Sequence, residues 1–217
     1  MKILITAGPT REAIDPVRFL SNRSTGKMGY ALAQAARELG HAVTLISGPV
    51  ALTPPEGVTV VAVESASEMA EAVKSRAPEA DLVIMAAAVA DYRPRIRSAV
   101  KIKKGSGGLV LELERTEDIL DTLGRNKHPG QILVGFAAET GDLLANAADK
   151  LARKHLDWIA ANLVGVPGRG FAADTNAVTL LGRSGAKIEL ALQSKLDLAR
   201  KILAIVTVPQ PDAVENP

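Results

Sequence analysis

Lys2-Ile3-Leu4-Ile5-Thr6 is a short apolar run that breaks at the turn Ala7-Gly8-Pro9-Thr10, and Ser21-Asn22-Arg23-Ser24-Thr25-Gly26-Lys27-Met28-Gly29 is a polar loop that leads into a helix. The helix is predicted over residues 26–39, where Met28, Ala31, Leu32, Ala35, Ala36 and Leu39 share one side and Gly40 takes the C′ position. A second apolar run, residues 42–46, follows at once. Strand, helix and strand in that order form a βαβ unit, and its buried type of strand belongs to a parallel sheet covered on both faces.

The pattern continues outward from this unit. A strand is expected at 58–63 after Thr53-Pro54-Pro55, a helix at 67–77 ended by Pro78, and a strongly apolar strand at 82–88. Two more strands, 133–137 and 158–161, flank a helix at 143–155. The repeat predicts an α/β fold: a Rossmann-like, doubly wound, mostly parallel sheet. Residues 177–181 and 187–190, joined across Gly182 to Gly185, read as a C-terminal hairpin, and Ser194 caps a final helix ending near Val206. Residues 1–206 are expected to form one domain, and residues 207–217, with three prolines, a disordered tail.

Composition narrows the chemistry. The 217 residues are 47% hydrophobic but only 3% aromatic, so Ala, Val, Leu and Ile build the core. There is no cysteine, which removes disulfides, thiolate metal sites and a cysteine nucleophile. No signal peptide and no membrane-spanning run of about 18 apolar residues is read, which fits a cytoplasmic setting with no membrane partner. A net charge of +2 does not imply nucleic acid, so electrostatic work falls to local clusters.

A helix that begins in glycines, hydroxyls and an amide offers free N–H groups and a positive dipole end to an anion. Two common motifs fail here. A P-loop needs Ser or Thr after Gly-Lys, whereas Met28 follows Gly26-Lys27. A dinucleotide fingerprint needs three glycines and an acid near the end of the second strand, and Ser47-Gly48-Pro49 has no carboxylate. Two connections are long, residues 7–25 and 92–108; the first is roughly three times the usual βα loop. Both leave the carboxyl ends of expected parallel strands, where open α/β sheets bind ligands.

Several residues are placed for chemistry. Arg93, Arg95, Arg97, Lys101 and Lys103, with Lys104, form a run of cations without an acid, aligned on one side if the segment is extended. A solvated edge, a flap over phosphates and a nucleic-acid surface all fit that run, although aromatic stacking platforms are scarce. Asp91 at a strand end fits either a hydrogen bond to a ribose or base, or a turn. Lys150 and Lys154 share a helix face away from an expected core stripe of Leu144, Ala147, Ala148 and Leu151. Phe136 is either core or a flat platform among small residues. The three histidines have no metal-ligand spacing, and no metal-binding residue is read.

Together these segments resemble the phosphopantothenate–cysteine ligase family, also called phosphopantothenoylcysteine synthetase. The resemblance spans about residues 4–206. It rests on Thr6-Ala7-Gly8-Pro9-Thr10-Arg11-Glu12, Asp15-Pro16-Val17-Arg18, Ser21-Asn22, Gly26-Lys27-Met28-Gly29 and Ala87-Ala88-Val89-Ala90-Asp91-Tyr92-Arg93-Pro94. Lys101-Ile102-Lys103-Lys104, Gly135-Phe136-Ala137-Ala138-Glu139-Thr140, Leu156-Asp157 and Ala161-Asn162 complete it.

The resemblance implies a ligase of coenzyme A biosynthesis that joins 4′-phosphopantothenate to L-cysteine. CTP with Mg2+ activates the carboxylate as an acyl-cytidylate, and cysteine then displaces CMP. It further implies a homodimer, and FMN only if a decarboxylase domain is fused upstream. It assigns catalysis to Asn22 and Lys101, and substrate binding to Arg18, Asn22 and Lys27. The nucleotide falls to Met85, Ala86, Ala87, Asp91, Lys101, Glu117, Asp118, Ile119, Leu120, Phe136, Lys150 and Lys154. Two departures stand out: Thr116-Glu117-Asp118-Ile119 has Glu where the family often has Pro, and Leu163 follows Asn162 where Asp is common.

Two rival functions remain to be weighed. A nicotinamide-dependent short-chain oxidoreductase needs Tyr-x-x-x-Lys, but Tyr30 leads to Gln34 and Tyr92 to Ile96. A non-catalytic nucleotide- or RNA-binding module draws its support from the basic flap.

Overall fold

The computed structural model describes residues 1–139, 141–163 and 170–208. The first half contains strand β1 (Lys2–Ala7), the short strands β2 (Arg11–Ala13) and β3 (Phe19–Ser21), helix α1 (Lys27–Glu38), β4 (Ala42–Ser47) and β5 (Thr59–Ala62). Helix α2 (Ala66–Arg76), β6 (Leu82–Met85), β7 (Tyr92–Pro94), β8 (Leu113–Arg115) and α3 (Ile119–Asn126) follow. Then come β9 (Ile132–Glu139), α4 (Leu143–Arg153), β10 (Trp158–Leu163), β11 (Thr175–Gly182), β12 (Lys187–Ser194) and α5 (Lys195–Val206).

Eight strands form one sheet in the order β12-β11-β10-β9-β6-β1-β4-β5. The pairs from β5 to β10 are parallel, while β11 and β12 add an antiparallel hairpin at the edge. The expected Rossmann-like, mostly parallel sheet is therefore present. Strand order reverses between β1 and its neighbour β6, and the crevice beyond their carboxyl ends is where such sheets receive ligands.

The period of two in β1 divides the core. Ile3 and Ile5 face a layer with Leu32, Leu45, Ile84, Ile202 and Leu203, where α1 packs against α5. Leu4 faces the opposite layer with Ile46, Met69, Val83, Leu133 and Ile159, beneath α2, α3 and α4. Ser194 accepts from the N–H of Asp197 and caps α5, as its sequence predicts.

Glycine is required where α1 meets β1. Gly26 stands at φ 78°, and a Cβ there would lie 2.8 Å from Val50. At Gly29 a Cβ would lie 2.5 Å from the Cβ of Ala7 and 2.9 Å from the carbonyl oxygen of Thr6. The absence of side chains lets the helix start directly against the end of β1.

The structure corrects several boundaries. The strand expected over 82–88 ends at Met85, because the next amides leave the sheet: Ala87 donates to Thr6 Oγ1, Ala88 to Gly8 O and Ala90 to Thr10 Oγ1. The long connections are not plain loops. The first holds the paired strands β2 and β3, and the 92–108 segment leads through β7 to β8. Helix α3, capped by the Asp118 side chain, was not expected as a helix. Of the disordered tail expected over 207–217, Thr207 and Val208 donate backbone bonds to Leu203 and Ile205, and residues 209–217, like Thr140, lie outside the described residues. Among the described residues, no helix is long and apolar enough to cross a membrane.

Candidate functional site

A cleft of about 280 Å³ opens at the switch point. One wall is the loop and first turn of α1, with Ser24, Gly26, Lys27, Met28 and Gly29. The floor is the segment that follows β6, Met85 to Val89, with Asp91 at its rim. The opposite wall is Thr116 to Leu120 with Phe136, Lys150 and Lys154, and the far end holds Asn162, Gly170, Phe171, Asn176 and Lys195.

Threonines pin the floor. Thr6 and Thr10 accept from the amides of Ala87 and Ala90, and Thr116 Oγ1 donates to Ala90 O at 2.6 Å. The segment from Ala87 to Ala90 is thereby fixed, and Ala86, Ala87 and Ala88 bring only methyl side chains to the cleft floor.

Asn22 sits where the two strand ends meet. Its Nδ2 donates to Ala88 O at 2.5 Å and its Oδ1 accepts from Ser24 N at 2.9 Å, which links the α1 loop to the floor. It is exposed and does not itself line the cleft, but it bonds to two residues that do, Ser24 and Ala88.

The lysine pair behaves differently from the sequence expectation. Leu144 and Ala148 are exposed, whereas Ala147 is buried with Leu143 and Leu151 packed beside it. Positions 143, 147, 150 and 154 follow one face, so both lysines turn inward toward the cleft. Lys150 donates to Phe136 O at 3.2 Å, and Lys154 binds both oxygens of Asp118 at 2.8 and 2.6 Å. Burial, with the charge of Lys154, holds the Lys150 ammonium below the usual lysine value, against Glu139, Asp118 and Asp91. For Asp118, burial opposes the shift, but the Lys154 hydrogen bond and the N–H of Asp121 outweigh it and lower its value.

Glu117, the departure noted above, accepts from Lys74 at 2.7 Å and Thr122 at 3.0 Å. Its charge is thus met from outside the cleft rather than directed at a ligand.

The basic segment is not bare. Arg93 pairs with Glu114 at 2.8 Å and Arg95 with Glu112 at 3.7 Å, across the β7–β8 ribbon. Its root is fastened to the first loop by Asp15, which is buried and accepts from the N–H groups of Val17, Arg18 and Ile102 and from the Arg18 guanidinium. Arg18 also donates to Ile102 O at 3.0 Å.

The structure gathers Lys27, Met85, Ala86, Ala87, Asp91, Glu117, Asp118, Ile119, Leu120, Phe136, Lys150 and Lys154 around one cleft. Asn22 adjoins it. Arg18 and the exposed Lys101 do not line it; they stand together at the root of the flap. Sequence reasoning passed over Asn176 and Lys195, because strand β11 and the first turn of α5 are distant in sequence from every motif.

The family model for the DNA/pantothenate metabolism flavoprotein C-terminal domain matches residues 1–208. The chain belongs to this family. Within it, a coenzyme A biosynthesis bifunctional protein CoaBC of Bacillus subtilis (strain 168) is 56% identical over 202 residues, covering 93% of this chain and 50% of that protein. The chain therefore spans about half the length of the curated relatives it matches.

Among solved structures, the C-terminal domain of a CoaBC protein superposes with a TM-score of 0.80 at 50% identity, covering 94% of this chain and 92% of that one. A Cab2 variant in complex with phosphopantothenate-cysteine gives a TM-score of 0.78 at 19% identity, over 94% and 84% of the two chains. At that identity the likeness establishes the fold alone.

Proposed function

We propose that this family domain ligates 4′-phosphopantothenate to L-cysteine in coenzyme A biosynthesis, using CTP and passing through an acyl-cytidylate. One observation carries the reading: the switch-point cleft brings the loop of α1, the backbone after Met85 and the inward-facing lysine pair around a single space, with the Asn22 amide adjoining it. The CoaBC relatives support it.

In this reading the cytosine lies on the backbone of Met85, Ala86 and Ala87 and is bordered by Glu117 to Leu120 and Phe136. Lys150 and Lys154 supply charge, and Asp91 accepts from the ribose. The triphosphate follows toward the start of α1 and Lys27, where free N–H groups and the helix dipole favour an anion.

The carboxylate oxygen of phosphopantothenate attacks the α-phosphorus, forming the mixed anhydride as the bond to pyrophosphate breaks. The amine of cysteine then attacks the acyl carbon, CMP leaves with the electron pair of the C–O bond, and the amine loses a proton. Asn22, whose amide is already oriented by Ser24 N and Ala88 O, positions the acyl carbonyl and stabilises its oxyanion. Lys101 offsets phosphate charge once the flap folds over the nucleotide, and Arg18 at the flap root addresses phosphopantothenate.

Mg2+, where bound with the nucleotide, would supply charge neutralisation on the triphosphate. Glu117 and Asp118 are paired with Lys74 and Lys154, and no group of three or more metal-ligating side chains gathers among the described residues. That donor set suits an ion carried mainly on phosphate oxygens. FMN belongs to a decarboxylase half and is assigned no residue here. The reading also holds the domain to be a cytoplasmic homodimer.

The test is incubation with CTP, Mg2+, phosphopantothenate and cysteine, followed by mass detection of the amide, CMP and pyrophosphate. No CTP-dependent product would overturn the reading. With cysteine omitted, Asn22→Asp is expected to accumulate a bound acyl-cytidylate; pyrophosphate formed without that adduct would remove Asn22 from the second step.

A further inference from the structure

Lys195 departs from two regularities. A lysine is seldom buried without an anionic partner, and a cation at the start of a helix opposes the helix dipole. Lys195 is the first residue of α5 and only 6% exposed. Its Nζ donates to Gly170 O at 3.0 Å and Phe171 O at 3.1 Å, which leaves a third N–H on the ammonium.

The surroundings of Lys195 are also cationic. Lys27 lines the same end of the cleft, held by Ala172 O at 2.9 Å and Asp174 at 2.6 Å. The Asp174 side chain is largely in solvent, so its charge offsets little inside. Burial, then the charge of Lys27, pulls the Lys195 ammonium down to about 8 against Asp174. Asn162 and Asn176 complete the chamber.

Two lysines, two amides and the glycine-bearing start of α1 thus converge on one end of the cleft. Charge decides between ligands. A zwitterionic amino acid is neutral overall and would leave both lysines uncompensated, and a single carboxylate would offset one. A polyphosphate offsets both.

We propose that Lys195 binds the β- and γ-phosphates of the nucleoside triphosphate and holds pyrophosphate as it leaves. The proposal rests on the nucleotide reading of the cleft given above. As the carboxylate oxygen bonds to the α-phosphorus, the bond from that phosphorus to the bridging oxygen breaks. Its electron pair passes to pyrophosphate, whose charge Lys195 and Lys27 offset without any proton transfer. The carbonyls of Gly170 and Phe171 act as positioning groups for the ammonium.

Calorimetric binding of CTP, CMP and pyrophosphate to the wild-type chain, Lys195→Met and Lys195→Arg tests this. Lys195→Met is expected to weaken CTP and pyrophosphate by at least about tenfold while CMP stays within about twofold, since only the first two reach the chamber. Wild-type affinity for CTP should fall as the pH rises past about 8. That alkaline limb should vanish in Lys195→Met, and Lys195→Arg should bind CTP without it. Asn176→Asp, which adds a negative charge to the chamber, should weaken CTP more than CMP.

Retained CMP binding shows that a variant is folded. If Lys195→Met does not fold, Lys195→Arg decides alone, and a limb still near pH 8 in that variant defeats the proposal. Equal losses for CTP and CMP, or no loss for CTP, also overturn it. Wild-type protein that ligates and binds CTP while Lys195→Met keeps its CTP affinity sinks this inference alone. Wild-type protein that binds neither CTP nor pyrophosphate sinks the nucleotide reading with it.

Discussion

Gly29 carries the closest approach between helix and sheet at the cleft. A methyl group there would press on Ala7 Cβ and Thr6 O, and a backbone oxygen cannot move aside as a flexible side chain does. Gly29→Ala is therefore expected to cost about 1–3 kcal/mol of stability by overpacking, read as a lower urea midpoint at unchanged slope. Because the shift would push α1 away from the floor, CTP affinity should fall in the same variant; a stable variant with unchanged CTP binding would show that the contact relaxes freely. Gly29, Lys27 and Asn22 were legible in the sequence, because local chemistry at the start of a helix is written in adjacent residues. Lys195 was not. Its meaning comes from Gly170, Phe171 and Lys27, which only tertiary packing brings to it, and in sequence it reads as an ordinary residue after a serine cap.

At the scale of elements, the flap depends on one carboxylate. Asp15 joins the first loop to Ile102, and the Arg18 guanidinium, aided by the N–H groups of Val17 and Ile102, holds its carboxyl well below the usual carboxylate range against the effect of burial. A carboxyl with a lowered folded value contributes its stabilisation in full above the unfolded value near ~4, and loses it as the pH falls toward the lower folded value. The anchor is thus complete at neutral pH and fails only in strong acid. Asp15→Asn should release the flap at neutral pH, seen as faster proteolysis between residues 95 and 112 with little change in overall unfolding; an unchanged cleavage rate would show that other contacts hold it. The cations of the flap were legible in the sequence, but their pairing was not. Glu112 and Glu114 lie some twenty residues beyond Arg93 and Arg95, and a ribbon as short as β7–β8 leaves too few alternating positions to be recognised. Helix α4 was mis-faced for a related reason: Lys150 and Lys154 occupy its inward stripe, and an apolar count assigns such positions to solvent.

At the scale of the whole molecule, the parallel sheet was readable because its central strands, β1 and β6, are apolar runs buried on both faces, with alanine-rich helices between the strands. What periodicity does not encode is what the additions between strands cover. Val17 is 59% exposed, Phe19 46%, Ile96 79% and Val100 71%, and all lie on the β2–β3 and flap segments. Those segments are tied together, Ser98 N donating to Ile14 O at 3.0 Å and Ile102 N to Asp15. Exposed apolar side chains on joined segments are what a protein–protein contact requires. For the proposed homodimer this is the face a twofold axis would use, each copy contributing the same patch. Light scattering after size exclusion is expected to give twice the chain mass for the wild-type protein and a single chain mass for Val17→Asp combined with Ile96→Asp. Both positions are solvent-exposed within one chain, so the double variant should unfold at nearly the wild-type denaturant concentration, which separates loss of assembly from loss of fold. A double variant that stays dimeric would move the interface elsewhere on the molecule, and the β11–β12 edge, with Leu192 half exposed, is the next surface to charge.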